Sequence, residues 1–327
     1  MGRGQNIPIQ VTGILLVATG LSLAARSYAQ TYPAKLIRFV VPFAAGSATD
    51  TVARLNGERI TEASRQNVLV DNRPGASGII AAEFVAKAAS DGYIVLIGTN
   101  TTHAANISLF KKLPYDPVKD FTPVTEIGKA ALVAVVHPSL PVKNVGDLTA
   151  LARRNPGKLS FGSGSSSSLA SVELYKMMAG VDILHVPYKS NPFAVVDLIS
   201  GQISLMIADL STTMPHVKAG KLRALAVTST KRIRTAPELP TMHEAGVKGY
   251  ELTVWFAAFL PAKAPADAVK RLNELFHIAL KSDKLREYFV SIGGDVAPGS
   301  PEALAKLVGT ETEKWARIAK TAGIQPE

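Results

Sequence analysis

The chain of 327 residues is 47% hydrophobic and 19% charged, a composition typical of a globular protein with room for about two domains. It contains no cysteine, which excludes disulfides and thiolate metal sites. The formal net charge of +10 is spread along the chain and forms no basic stripe with interleaved aromatic residues, so nucleic-acid binding is not predicted.

Residues 1–29 have the pattern of a secretory signal peptide. A basic start with Arg3 precedes an apolar run over residues 11–21, and Ser27-Tyr28-Ala29 supplies the small residues of a cleavage site before Gln30. A membrane anchor is the alternative, but the apolar run is shorter than the roughly 20 residues that a membrane span needs. We therefore expect an exported protein whose mature chain begins at Gln30.

The stretch that follows the first predicted strand is typical of an anion-binding site. Residues 36–41 are apolar and rich in β-branched side chains, which predicts a buried strand. Residues 44–47 are small, and Thr49 or Asp50 is the predicted N-cap of a helix over residues 51–63. Such a loop directs free N–H groups and the positive end of a helix dipole at one place, which suits a carboxylate or a phosphate. An ordinary strand-to-helix turn is the alternative interpretation.

Strands and helices alternate along the rest of the chain, which predicts an α/β fold with mostly parallel sheets. In such sheets, ligands bind outside the carboxyl ends of the strands. Short apolar runs predict further strands at residues 67–70, 93–98, 130–136, 182–189, 203–209, 223–228 and 251–260. Amphipathic segments predict helices at residues 79–89, 145–154, 169–179, 191–200, 266–282 and 301–322.

A second small-residue loop covers residues 162–168 and ends in four consecutive serines, Ser165 to Ser168. It lies between a predicted strand and a predicted helix, so it offers hydroxyl and backbone N–H donors at a helix start. A flexible linker is the alternative, but the run is short and closely flanked by regular structure. Two βα-repeating halves that face each other would thus form one cleft lined by two helix N-termini.

Motifs for catalysis or cofactor binding are missing from the sequence. It has no Gly-x-Ser-x-Gly pentad, no phosphate-binding Gly-x-x-x-x-Gly-Lys-Ser/Thr loop and no strand-associated Gly-x-Gly-x-x-Gly. The six histidines are isolated from one another, and His185 lies in an apolar strand where a core histidine is the expected role. We therefore predict no enzyme, no cofactor and no metal, although distant residues could still form a catalytic triad.

Several motifs occur together in the order found in one receptor family. The chain resembles the extracytoplasmic solute receptors of tripartite tricarboxylate transporters, the Bug-type receptors, over essentially the whole mature sequence. The motifs are Val41-Pro42-Phe43 with Gly46 and Ala48-Thr49-Asp50, Asn72-Arg73-Pro74-Gly75-Ala76, Asp91-Gly92-Tyr93, Leu113-Pro114-Tyr115-Asp116-Pro117, Gly162-Ser163-Gly164, His185-Val186-Pro187-Tyr188-Lys189 and residues 220–228.

The resemblance implies a two-lobe periplasmic-binding-protein fold of type II, in which each lobe is a mostly parallel sheet flanked by helices. Residues 30–131 and 255–327 would form lobe 1, and residues 132–254 would form lobe 2. The implied function is capture of a small carboxylated solute, a di- or tricarboxylate, an aromatic acid or an amino acid, in the interlobe cleft. The solute would pass to a membrane permease of the transporter. The implied receptor is a periplasmic monomer that binds no nucleic acid.

The resemblance also implies which residues bind the ligand. In this chain they are Phe43, Gly46, Ser47, Ala48, Thr49, Asp50, Gly75, Ala76, Thr99, Asn100, Ser163, Gly164, Ser165, Ser166, Ser168, Tyr188 and Asp209. The sequence departs from the family pattern at Ser47 and Ser190, where glycine is common. Both departures bear on the identity of the ligand rather than on the class of protein.

Neutral amide and hydroxyl donors at two helix starts are expected to hold the carboxylate, and the lobes are expected to close over it. Asp50 and Asp209 could accept a hydroxyl or an ammonium group of the ligand, or could simply cap a helix and end a strand. Two other functions stay open: a sensory binding protein that presents its ligand to a membrane signalling partner, and a secreted hydrolase with an unrecognised triad. The signal peptide argues against a transcriptional regulator with a similar lobe.

Overall fold

The computed structural model describes Met1, Gly2, Gly4 and residues 32–326, and most of the predicted signal peptide lies outside these residues. Strands and helices alternate along the described chain, as the sequence predicts. The strands are β1 (Ile37–Val41), β2 (Val68–Asn72), β3 (Ile94–Thr99), β4 (Phe121–Val136), β5 (Ser160–Ser163), β6 (Leu184–Pro187), β7 (Leu205–Asp209), β8 (Arg223–Val227), β9 (Thr253–Pro261) and β10 (Asp295–Val296). The α-helices are α1 (Ala48–Ser64), α2 (Ile79–Ala86), α3 (Asn106–Leu109), α4 (Val145–Arg154), α5 (Ser166–Ala179), α6 (Asn191–Ile199), α7 (Leu210–Lys218), α8 (Ala266–Leu280), α9 (Asp283–Ser291) and α10 (Pro301–Thr321).

Strand β4 takes part in two sheets. Its residues 121–131 pair with β9 in the first sheet. Its residues 132–136 pair with β7 and β8 in the second sheet. The change of partners follows Ala131, and the predicted lobe boundaries stay a prediction.

The first sheet has the strand order β2-β1-β3-β9-β4, with β10 paired to β4. Strands β2, β1, β3 and β4 run in one direction, and β9 and β10 run in the opposite one. Every residue of β1 except Arg38 is buried, and helices α1 and α2 both pack against the strand. The apolar run that predicted this strand reflects that burial.

The second sheet has the strand order β8-β4-β7-β5-β6. Strands β5, β6, β7 and β8 run in one direction, and β4 runs in the opposite one. In each sheet a parallel group, β2-β1-β3 or β7-β5-β6, adjoins antiparallel pairs that involve β4 or β9, so both sheets are mixed and the predicted mostly parallel pairing is wrong. The α/β class predicted from the sequence is confirmed. Among the described residues, no helix is both long and apolar enough to cross a membrane.

Two predicted helix boundaries and one unpredicted helix differ from the sequence analysis for identifiable reasons. Helix α1 is capped by Ser47, whose Oγ accepts from the Asp50 amide at 3.2 Å, so the predicted cap at Thr49 or Asp50 is wrong. The predicted helix over residues 266–282 ends at Leu280, because Ser282 caps a separate helix, α9. Helix α7 was not predicted, since Pro215 inside it argues against a regular helix.

Gly294 lies where β10 meets β4, and a side chain has no space there. A Cβ atom on Gly294 would stand 1.7 Å from the carbonyl oxygen of Lys129, which belongs to the backbone and cannot rotate away. We expect Gly294→Ala to lower the free energy of unfolding by about 1–3 kcal/mol, the usual cost of overpacking, as measured by urea denaturation.

The control is Gly309→Ala in α10, where a Cβ atom would meet nothing within 4 Å. That substitution should leave stability unchanged or raise it by about 0.5–1 kcal/mol, since alanine favours helix more than glycine does. Equal stability of the two variants would contradict the packing described for β10.

Candidate functional site

A small polar cavity lies at the carboxyl ends of strands from both sheets. The space open to the centre of a water-sized sphere is about 20 Å³, enough for about one water molecule. Loops that follow β1, β3, β5, β6 and β7 form its walls, with side chains of β4 and β9. The lining residues are Phe43, Ser47, Thr49, Thr99, Asn100, Thr101, Leu132, Ser165, Ser167, Ser190, Asn191, Asp209, Val254 and Phe256.

The first wall is the loop between β1 and α1. Gly46 has a φ of 82°, which a side chain would disfavour, and its N–H donates to Asp50 Oδ2 at 2.9 Å. The side chain of Ser47 accepts a hydrogen bond from the Asp50 amide. The amides of Ala48 and Thr49 also belong to the first turn of α1, where a backbone N–H has no acceptor within the helix. The loop therefore offers N–H donors at the positive end of α1, beside the hydroxyls of Ser47 and Thr49 that line the cavity.

Asp50 holds this loop in place and does not line the cavity. Its carboxylate accepts from the Gly46 amide, from Asn72 Nδ2 at 3.0 Å and from Arg54 Nε at 3.0 Å. Burial alone would raise the pKa of Asp50, but the hydrogen bonds from Arg54, Gly46 and Asn72 outweigh it and hold the pKa below its ordinary value. The carboxylate is therefore occupied by the protein's own donors.

The second wall follows β3. Thr99, Asn100 and Thr101 line the cavity, and a π-helical turn continues over Thr101–Ala105. The Thr101 amide donates to Thr99 Oγ1 at 3.2 Å, and the Thr99 amide donates to Thr102 Oγ1 at 3.1 Å. These local bonds fix a π-helical turn, a rare conformation that is frequent at functional sites.

The third wall is the serine loop between β5 and α5. Ser165 caps α5 and its Oγ accepts from the Ser168 amide at 3.2 Å, so α5 begins at Ser166 and not at residue 169. Ser167 Oγ lies 2.9 Å from both Asn100 Nδ2 and Thr101 Oγ1, across the cavity in the loop after β3. The serine run is therefore ordered helix start and cavity wall, which contradicts the linker alternative.

The fourth wall joins the ends of β6 and β7. Ser190 Oγ accepts from the Ala44 amide at 3.1 Å and so reaches the loop after β1. Asn191 Oδ1 accepts from the Gly164 amide at 2.9 Å, and Asn191 Nδ2 donates to Asp209 Oδ2 at 3.1 Å. A Cβ atom on Gly164 would stand 2.0 Å from the carbonyl carbon of Ser190, so these two loops touch through their backbones.

Electrostatically, the cavity combines helix starts with neutral donors and has no cationic side chain among its lining residues. Three helices begin at the cavity: α1 contributes Ser47 and Thr49 to the lining, α5 contributes Ser165, and α7 contributes Asp209. Such an arrangement binds an anion by amide and hydroxyl hydrogen bonds. Apolar surface from Phe43, Leu132, Val254 and Phe256 suits a short carbon skeleton.

The structure gathers part of the predicted set around the cavity: Phe43, Ser47, Thr49, Thr99, Asn100, Ser165 and Asp209. Gly46, Ala48 and Asp50 lie in the loop and first turn behind that lining, and Ser163, Gly164, Ser166 and Ser168 lie in or beside the serine loop. Gly75 and Ala76 lie beyond β2, and Tyr188 donates to Asp197 Oδ2 at 2.6 Å. None of these further residues lines the cavity.

Sequence reasoning missed the lining residues Thr101, Leu132, Ser167, Ser190, Asn191, Val254 and Phe256. Ser167 belongs to the serine run, and Ser190 was recognised only as a departure from the family pattern. Leu132, Val254 and Phe256 come from strands, where apolar residues carry no sequence signal for a ligand.

The described histidines form no metal site. No group of three or more histidine, aspartate or glutamate side chains among the described residues is arranged to hold a metal ion. His185 is half-buried rather than a core residue, with Nε2 at 2.7 Å from Ser163 Oγ and its ring stacked on Phe161. Ser163 is buried and lies outside the cavity lining.

Two mixed sheets that share a strand and enclose an anion-suited cavity between their loops define a two-lobe solute-binding protein. The family model for the tripartite tricarboxylate transporter family receptor matches residues 52–324. Protein BugT of Bordetella pertussis is 32% identical over 318 residues, which cover 96% of this chain and 97% of BugT. The chain therefore belongs to this receptor family of periplasmic solute-binding proteins, and the resemblance drawn from the motifs is confirmed.

Two solved structures are similar along almost their whole length. Rpa4515 of R. palustris with adipate is 41% identical, with a TM-score of 0.88, and the match covers 90% of this chain and 100% of that one. MatC (Rpa3494) from Rhodopseudomonas palustris with bound malate is 31% identical, with a TM-score of 0.84, and the match covers 88% and 99%.

The charge of Asp50 should stabilise the fold in a pH-dependent way. Since the pKa of Asp50 in the folded protein lies below its ordinary value of 3.8, the stabilisation is present above that value and is lost as the pH falls through the lowered pKa. We expect Asp50→Asn to cost about 1–3 kcal/mol of unfolding free energy at neutral pH, a difference that shrinks on acidification. Urea denaturation across the acid range measures it.

Asp91→Asn is the comparison, because Asp91 forms an exposed ion pair with Lys35 at 3.0 Å. An exposed pair contributes less than about 1 kcal/mol, so its pH-dependent difference should be smaller. A constant difference between wild type and Asp50→Asn at every pH would show that the carboxylate charge is not what holds the loop.

Proposed function

We propose that this protein captures a small carboxylated solute in the cavity between its two sheets and delivers it to the membrane permease of a tripartite tricarboxylate transporter. Residues 1–29 would direct its export to the periplasm and be removed there. The family membership supports this role. The related proteins with adipate and malate support a dicarboxylate as the first ligand class to test.

The observation that carries the proposal is the convergence of the α1 and α5 starts on one cavity. Each start offers uncapped first-turn amides and serine or threonine hydroxyls. A hydrogen bond from such a donor to a carboxylate contributes about 1.5–3 kcal/mol, and a desolvated carboxylate needs every oxygen paired. Neutral donors can meet that need and still release the solute to a partner.

The cavity must open for a solute to enter, because about 20 Å³ is too small for a dicarboxylate. Direct hydrogen bonds join the loops of the first sheet to those of the second: Asn100 and Thr101 to Ser167, and Asn106 to Ser166 at 2.6 Å. We infer that these contacts separate when the lobes open. A solute that touches both lobes would then stabilise the closed form by its differential affinity.

A sensory role, in which the loaded protein contacts a signalling partner in place of a permease, would use the same fold and cavity. A hydrolase role has less support. The hydrogen-bonded pair Ser163 and His185 is present, but Ser163 is buried outside the cavity lining. Binding without turnover is therefore the proposed activity.

A thermal-shift screen against succinate, malate, adipate, citrate, benzoate and glutamate tests the proposal. A ligand at 100 times its Kd should add about 2.7 kcal/mol to the unfolding free energy and raise the melting temperature clearly. Ligand-stripped, folded protein that responds to no carboxylate would overturn the proposed function. Release of products from any of these compounds or their esters would favour an enzyme.

Thr49 provides the matched mutational test. It lines the cavity, and no partner for its hydroxyl is found within residues 32–326. Thr49→Val keeps the shape of the side chain and removes the donor, so affinity for the carboxylate should fall by about tenfold or more. Thr310→Val on the exposed face of α10 should leave affinity unchanged, and an equal loss in both variants would contradict the assignment.

Ser167 should favour the closed form, because its hydroxyl bridges Asn100 and Thr101. We expect Ser167→Ala to shift the ligand-free protein toward open lobes and to weaken ligand affinity. Since the chain has no cysteine, Lys87→Cys and Lys158→Cys give a unique dye pair for single-molecule distance measurements. Ser200→Ala, on an exposed residue outside the cavity, is the control, and identical distance distributions in both variants would refute the contact's role.

A further inference from the structure

Asp209 is the cavity-wall residue whose chemistry the proposed carboxylate site does not explain. It ends β7 at the start of α7, yet its side chain makes no hydrogen bond that caps the helix. The residue is enclosed by the protein and keeps part of its surface open to the cavity, which it lines. An acidic side chain in an anion-binding cavity opposes a carboxylate placed next to it.

The surroundings of Asp209 differ sharply from those of Asp50. Asp50 is met by Arg54, Asn72 and the Gly46 amide, whereas the Asp209 carboxyl receives one neutral side-chain donor, Asn191 Nδ2 at 3.1 Å. Within residues 32–326, Asp209 forms no ion pair, and no cationic side chain lines its cavity. The protein's own donors thus satisfy the Asp50 carboxylate, whereas the Asp209 carboxyl can accept further hydrogen bonds from a ligand.

A second acceptor of the cavity, in the wall that follows β3, has no hydrogen-bond donor within the described part of the chain. Asn100 is fully buried and lines the cavity, and its Oδ1 atom has no hydrogen-bond partner among the described residues. Burial raises the pKa of Asp209, although the hydrogen bond from Asn191 lowers it. The cavity therefore presents two acceptors, Asp209 and Asn100 Oδ1, that the protein's own donors do not fully satisfy, and buried polar groups of this kind are normally paired.

We propose that Asp209 makes the receptor select carboxylates that also carry a hydrogen-bond donor, a hydroxyl or an ammonium group, over carboxylates without one. This inference rests on the proposed function, since it assigns the ligand class of the same cavity. The helix starts of α1 and α5 hold the carboxylate, and the ligand's donor bonds to Asp209. A plain carboxylate would leave Asp209 unpaired, and a second carboxylate there would be repelled.

Matched ligands that differ by one donor test the inference by isothermal titration calorimetry on the purified protein. Malate and aspartate are each compared with succinate, 2-hydroxyglutarate and glutamate with glutarate, and mandelate with phenylacetate. For whichever pair binds, the ligand with the hydroxyl or ammonium group should bind about tenfold or more tightly than its partner without one. That is the discrimination expected of a charge-assisted hydrogen bond.

The variant Asp209→Asn removes the charge and keeps the side-chain size. The preference for the donor-bearing ligand should fall to about threefold or less, because only a neutral acceptor remains. Asp182→Asn is the control: it removes the same charge from an exposed residue that precedes β6 and lies outside the cavity, and it should keep the wild-type preference. Circular dichroism melting verifies that each variant is folded.

The wild-type comparison alone can overturn the inference, even where Asp209→Asn does not fold. Succinate, glutarate or phenylacetate binding as tightly as its donor-bearing partner would refute selection by Asp209 and leave the carboxylate receptor intact. A preference retained in folded Asp209→Asn would refute it as well. Failure of every carboxylate to bind would instead refute the proposed function itself.

Discussion

Strand β4 belongs to both sheets, and the cavity depends on this double pairing. Its first eleven residues, 121–131, pair with β9, and residues 132–136 pair with β7 and β8. Because one strand pairs first with β9 and then with β7 and β8, the two sheets lie end to end along it. The carboxyl ends of β1 and β3 therefore face those of β5 and β7, where loops carry binding residues in α/β proteins.

The cavity has a balance of charge that suits reversible binding. Its donors are first-turn amides and hydroxyls rather than lysine or arginine, so a carboxylate would be held without a full ion pair. The two acidic residues near it have opposite roles because their neighbours differ. Asp50 is neutralised by Arg54 and locks the first loop, whereas Asp209 has one neutral donor and keeps capacity for a ligand.

Much of the fold and part of the site could be predicted. The β1 strand, the helix after it and the serine loop were found because local pattern alone determines them: an apolar β-branched run, small residues and a cap. Ser167 and Ser190 were not assigned to the cavity, because each contributes by reaching a loop more than sixty residues away, Ser167 to Asn100 and Ser190 to Ala44. The apolar lining by Leu132 and Phe256 likewise follows from strand pairing.

The sequence by itself determined the α/β class, the receptor family and the presence of two helix-start loops, because these depend on periodicity, capping residues and ordered motifs. Only the tertiary structure decided which residues of those loops line one cavity. It also separated Asp50 from Asp209, since the sequence shows one acidic residue at a helix start and one at a strand end, with the same possible role in ligand binding. The physical reason is that hydrogen-bond satisfaction and burial depend on neighbours brought together by the fold. Arg54 and Asn72 donate to the Asp50 carboxylate, whereas Asn191 is the one side chain among the described residues that donates to the Asp209 carboxyl.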